Sequence, residues 1–185
     1  MQTWIALLRG VNVGGRNRLP MAGLLSEMDG LGLSGVRTYI QSGNIVFRAP
    51  RKPASALAAD IAEAIDARFG VKPHTAVISA ADFAACAAAN PFPESEWELD
   101  GKALHLLFLD AAPPAVDRQR LDAVKRGSER WALIGAVFYL HAPQGFGTSK
   151  LAAQAEKILG VRATARNWRT VGALLKMVEE GESRK

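Results

Sequence analysis

Leu7-Leu8-Arg9-Gly10-Val11-Asn12-Val13-Gly14-Gly15-Arg16-Asn17-Arg18 is the stretch whose reading decides the fold. It is the end of a hydrophobic strand that meets an arginine and opens into a glycine-rich, basic loop. Upstream, residues 4–9 are apolar on both alternating faces, with Trp4, Ala6 and Leu8 on one and Ile5 and Leu7 on the other. Such a strand belongs inside a sheet covered on both sides. Downstream, Pro20 suits the first position of a helix, and Met21, Leu24, Leu25, Met28 and Leu31 give that helix one buried stripe.

Outward from there the pattern continues. Residues 36–40 and 45–48 read as two strands around Gln41-Ser42-Gly43-Asn44, a turn whose glycine accepts positive φ. Pro53 opens a second helix with Leu57, Ile61, Ile65 and Phe69 spaced by four, and Gly70 stops it. Residues 74–79 form the closing strand. The order β-α-β-β-α-β is that of the ferredoxin-like unit.

The order then recurs. A linking helix over 80–89 stops at Asn90-Pro91, and an acidic loop follows over 91–102. Strand 103–109, helix 115–124, hairpin strands 130–134 and 137–141, helix 149–159 and strand 161–165 come next, before a last helix over 168–180. Phe69-Gly70-Val71-Lys72-Pro73-His74-Thr75 parallels Leu159-Gly160-Val161-Arg162-Ala163-Thr164, each a helix stop leading into a closing strand. The expectation is an α+β protein of duplicated ferredoxin-like units with antiparallel sheets and extra helices, the halves being residues 1–79 and 80–185.

Charge is uneven along this frame. The net charge is +5, and residues 1–50 and 161–185 carry the basic excess, while 51–160 hold 12 basic and 13 acidic residues. That distribution suits an anionic partner at the basic segments, either a small molecule or a nucleic acid, with a generic solvated surface as the alternative. No apolar run approaches the roughly 20 residues of a membrane span, and the start lacks the charged region and cleavage site of an export signal. The expected location is the cytoplasm. The lone cysteine, Cys86, excludes an intramolecular disulfide and sits in an alanine-rich run as an inert thiol.

Topology assembles the candidate site. In a 4-1-3-2 sheet the loop after the first strand and the hairpin between the second and third share one end. Arg9, Asn12, Gly14, Gly15, Arg16, Gln41, Ser42 and Asn44 are therefore expected on one rim. In the second half the loop before Lys150 and the stretch Arg166-Asn167-Trp168-Arg169 each lead into a helix N-terminus. Lys150, Arg166, Asn167 and Arg169 complete the ligand-binding set, with capping by Thr148 or Ser149 and by Asn167 as the alternative role.

Other chemistries fit less well. Gly10-x4-Gly15-Arg16-Asn17 has the outline of a phosphate-binding P-loop, yet arginine replaces its lysine and asparagine its magnesium-binding hydroxyl. His74, His105 and His141 fall on separate strands without metal or nucleophile–base spacing. No cofactor, metal or catalytic residue is assigned. Three functions stay open: a binding module for a phosphate-bearing anion, an enzyme on a small anionic substrate between the halves, and a purely structural role for the motifs.

Three segments also carry a resemblance: residues 7–15, Arg37-Thr38-Tyr39-Ile40-Gln41-Ser42-Gly43-Asn44-Ile45-Val46-Phe47, and Thr164-Ala165-Arg166-Asn167-Trp168-Arg169-Thr170-Val171. Together they resemble the bacterial family catalogued as domain of unknown function 1697. The resemblance implies a compact protein of two ferredoxin-like halves and brings no activity with it.

Overall fold

A computed structural model of the chain describes residues 1–14, 17–92 and 101–182. The central part of the acidic loop, 93–100, lies outside them, as do Gly15 and Arg16. Among the described residues the chain is mixed α/β, with two four-stranded antiparallel sheets and six α-helices.

The compact units are residues 1–85 with 173–185, and residues 86–172. The sequence reading divides the chain at 79/80 and gives the whole last helix to the second half. In the structure six more residues and the end of that helix go with the first unit.

In the first unit the elements run β1 (Gln2–Arg9), α1 (Met21–Gly30), β2 (Ser34–Tyr39), β3 (Asn44–Ala49), α2 (Ala54–Phe69) and β4 (His74–Ser79), followed by α3 (Ala80–Ala88), which crosses from the first unit into the second. The sheet order is β2-β3-β1-β4. Strand alternation sends Trp4, Ala6 and Leu8 of β1, with Ile45 and Phe47 of β3, into a core shared with Leu24, Met28, Leu57, Ile61 and Ile65 of α1 and α2. Ile5 and Leu7, on the other face, are also buried. An all-apolar strand thus occupies a central position covered on both sides, as its sequence demands.

The second unit repeats the plan with β5 (Leu104–Leu109), α4 (Arg118–Val124), β6 (Arg130–Ile134), β7 (Val137–His141), α5 (Lys150–Leu159) and β8 (Ala163–Asn167). Its sheet order, β6-β7-β5-β8, corresponds strand for strand to the first. Leu107, Leu109, Phe138, Leu140 and Ala163 pack with Leu121 of α4 and Leu151, Ala155 and Leu159 of α5. The two units fit a duplication. The last helix, α6 (Trp168–Glu182), begins in the second unit and ends in the first.

Differences from expectation among the described residues are a 3-10 turn over Phe146–Thr148, where a loop was expected, and shifts at element ends. The helix expected over 115–124 starts at Arg118, where the Asp117 side chain accepts from the Arg120 N–H at 2.9 Å and so fixes the start. The strand expected over 161–165 runs instead from Ala163 to Asn167, pairing along β5 from Leu109 to His105, with Asn167 opposite His105.

Candidate functional site

The first-strand loop and the hairpin meet at one end of the first sheet. β1 and β3 pair through Leu7 and Asn44, and the Leu8 N–H donates to Gly43 O at 2.7 Å. Gly43 has φ +73°, and a Cβ there would lie 2.6 Å from Leu8 Cβ and 2.7 Å from Val11 Cγ2. Only glycine lets the turn come this close to β1.

Asn12 joins the two loops. Its φ is +54°, a conformation asparagine tolerates. Its Nδ2 donates to Gln41 O at 2.8 Å and to Leu19 O at 3.0 Å, while its Oδ1 accepts from the Leu19 N–H at 2.8 Å. Asn17 Nδ2 donates to Gly10 O at 2.9 Å, and the Asn12 N–H donates to Asn17 O at 3.1 Å, closing the loop on itself. In the hairpin, Asn44 is fully buried and its Nδ2 donates to Ser42 Oγ at 2.8 Å and Tyr39 O at 3.2 Å. The motif asparagines are therefore occupied with backbone and neighbour, and they hold the shape of the rim.

An open cavity of about 350 Å³ lies between the loops, lined by Asn12, Arg18, Leu19, Pro20 and Gln41. The Arg18 and Gln41 side chains are exposed there. Leu19, buried just after Arg18, anchors the chain, and Pro20 leads directly into α1. No side chain caps that helix and no acid stands in its first turn. Its leading N–H groups and its dipole favour an anion. Val13 and Ile40, the neighbours of Asn12 and Gln41, are apolar and 64% and 57% exposed.

The expected rim residues are thus sorted. Asn12 and Gln41 line the cavity, whereas Ser42, in the turn, and Asn44, at the start of β3, bond to each other and are not among its lining residues. Arg9 is exposed at the end of β1, opposite His74 of β4, and Gly14 is exposed with φ +57°. Gly15 and Arg16 lie outside the described residues. Arg18, Leu19 and Pro20 are lining residues outside the expected set, and Arg18 is the charged one. It stood in the opening stretch as the third basic side chain, directly before the apolar Leu19.

In the second unit the two expected segments do share one end of the sheet. His105 stands opposite Asn167 of β8 and stacks on Phe146, from the loop after β7, with ring centroids 4.0 Å apart. Ser149 caps α5, accepting from the Ala152 N–H at 3.0 Å, and Asn167 caps α6, accepting from the Thr170 N–H at 2.9 Å. Lys150 and Arg169 are exposed. Arg166 is separated from Lys150 by strand alternation. Ala163 and Ala165 face the core that holds α5, so Arg166 projects from the opposite face of the sheet. Its Nη1 donates to Ala165 O at 2.8 Å, and burial lowers its pKa to about 10, which leaves it a cation at neutral pH.

Among the described residues, the other titratable groups with displaced pKa values are in this unit. Burial pushes His105 down to about 4 and lowers His141, where Arg130 adds repulsion. Burial, with Cys86 nearby, raises Tyr139 to about 12, and its hydroxyl donates to Cys86 O at 2.7 Å. None of them lines the rim cavity.

Comparison with known proteins adds lineage. No curated protein matches the chain. A solved structure of the conserved bacterial protein SP0830 from Streptococcus pneumoniae is similar, at 26% identity and a TM-score of 0.67, over 95% of this chain and 98% of that one. The family model described as protein of unknown function DUF1697 matches residues 1–139, the span that holds the rim with both of its loops, and the chain belongs to that family.

Proposed function

We propose that the rim of the first unit is a binding site for a phosphate-bearing anion, and that its motif divides into residues that shape the site and residues that hold the ligand. One observation carries this: the cavity between the two loops opens at an uncapped helix start with the exposed Arg18 on its wall. A phosphate there takes backbone N–H groups of α1 and the Arg18 fork. Asn12 and Asn44 act as staples. We confine the proposal to the first unit; in the second, Arg166 projects from the sheet face opposite the one that carries α5 and Lys150.

Val13 and Ile40 favour a ligand with an apolar or aromatic part beside its phosphate, a nucleotide rather than inorganic phosphate. The ferredoxin-like reading of both units goes with this proposal. It is supported by the repeated βαββαβ order and by the matching strand sequence of the two sheets.

Calorimetric titration tests the proposal with ATP, pyrophosphate and a short single-stranded oligonucleotide. Arg18→Ala is expected to weaken the tightest of the three roughly tenfold or more without lowering Tm. If the oligonucleotide is the ligand, log affinity falls linearly with log salt. Equal affinity of wild type and Arg18→Ala for all three probes overturns the assignment.

A further inference from the structure

At the far end of the same sheet Arg48 of β3 stands opposite Thr3 of β1 and Ser34 of β2. Phe47 and Ala49 belong to the first core, so Arg48, like Val46, projects from the other face. It is half-buried, its side chain has no hydrogen bond or ion pair among the described residues, and its Nε is closed off from water.

A cavity of about 280 Å³ lies against it, walled by Thr3, Val36, Val46 and Val178, with Arg37 and Gly181 beside them. A bulge shapes one wall. Ser34 pairs with Arg48 and Arg37 with Val46, so Gly35 and Val36 together oppose Phe47, with Gly35 at φ +59°. The second guanidinium is already neutralised: Arg37 Nη2 donates to Met177 O, and its Nη1 lies 3.8 Å from Glu180 of α6. Among the described residues, Arg48 is therefore an uncompensated cation in a valine-walled cavity.

We propose that this cavity binds a small monocarboxylate with a compact apolar body, its carboxylate held by Arg48. A planar guanidinium matches a carboxylate in shape and charge, and a single unpaired cation matches a single negative charge. The valines take the apolar body. The volume is just below the usual range of roughly 300–1,000 Å³ for ligand pockets, which suits an acid of a few carbons and leaves no room for a nucleotide. Bonds from the Arg48 Nη groups offset the cost of a half-buried charge without a partner.

Titration of the isotopically labelled protein with 4-methylpentanoate, followed by amide NMR, tests this. Saturable shifts are expected at Val46, Arg48 and Val178, and 4-methylpentan-1-ol should bind roughly tenfold more weakly or worse. Arg48→Met keeps the apolar stem and removes the unpaired charge, so it should lose the acid by a similar factor while melting no lower than wild type. Val178→Phe fills the cavity and should abolish binding with Arg48 intact. Absence of saturable shifts, equal affinity for the alcohol, or full binding in either variant overturns the proposal.

Discussion

Asn12 and Ile40 share an unusual backbone but lead to opposite expectations. Asn12 at φ +54° repays its conformation with three side-chain hydrogen bonds that tie Leu19 and Gln41 together. Asn12→Ala leaves those backbone groups without that partner, and we expect a loss of about 2 kcal/mol, read as a fall in Tm of roughly 5 °C. Ile40 has φ +47° and is 57% exposed, so a β-branched side chain is held in a strained conformation with little burial in return. Ile40→Gly should raise stability by roughly 0.5–1 kcal/mol. If Ile40 is kept for ligand contact, the same change weakens nucleotide binding. A lower Tm in Ile40→Gly would mean that the side chain packs usefully in the free protein.

At the level of elements, the strand–loop–helix layout was legible because hydrophobic period, proline starts and glycine stops agree. β6 and β7 fall on the expected residues, since a short apolar hairpin around Gly135 has a single sensible register. The meeting of the β1 loop with the β2–β3 hairpin was legible for the same reason, because strand order alone places both at one end. Arg18 was not, because a loop with positive φ at Gly10, Asn12, Gly14 and Asn17 folds back on itself in a way no periodicity encodes. The split between Lys150 and Arg166 could have been read from the two-residue alternation through Ala163 and Ala165. β5 adds a pH response. His105, at about 4 when folded against 6.5 when free, is neutral in the native protein and stacked on Phe146. Between those values the unfolded chain binds the extra proton. Its contribution is therefore complete above 6.5 and lost as pH falls toward 4, about 3 kcal/mol in all, and His141 acts in the same direction. His105→Phe keeps a ring against Phe146 and removes the titration. Its Tm should fall less than wild type between pH 7 and pH 4.5, and parallel curves would rule out His105 as the source.

On the scale of the whole molecule, the first unit is discontinuous in sequence. It consists of residues 1–85 and the end of α6, and the bond from Arg37 to Met177 spans 140 positions. Closing so long a loop has an entropic cost that only packing and capping at its end can offset. Arg37 supplies part of that offset by donating to a carbonyl of α6 and pairing with Glu180, while Leu174 and Val178 are buried on the same segment. Gly181 belongs to this arrangement, since a Cβ there would lie 2.6 Å from Arg37 Nη2. Contacts of such sequence separation form late, so β2, an edge strand of only six residues, depends on a segment 140 positions further along the chain. A chain ending at Gly172 loses both buried side chains, about 2 kcal/mol each, together with the Arg37 contacts. Hydrogen exchange should then quicken across Ser34–Tyr39 by roughly tenfold or more, with Arg37→Ala giving a smaller change of the same sign. Unchanged protection of β2 in the shortened chain would show that the first unit is complete without the end of α6.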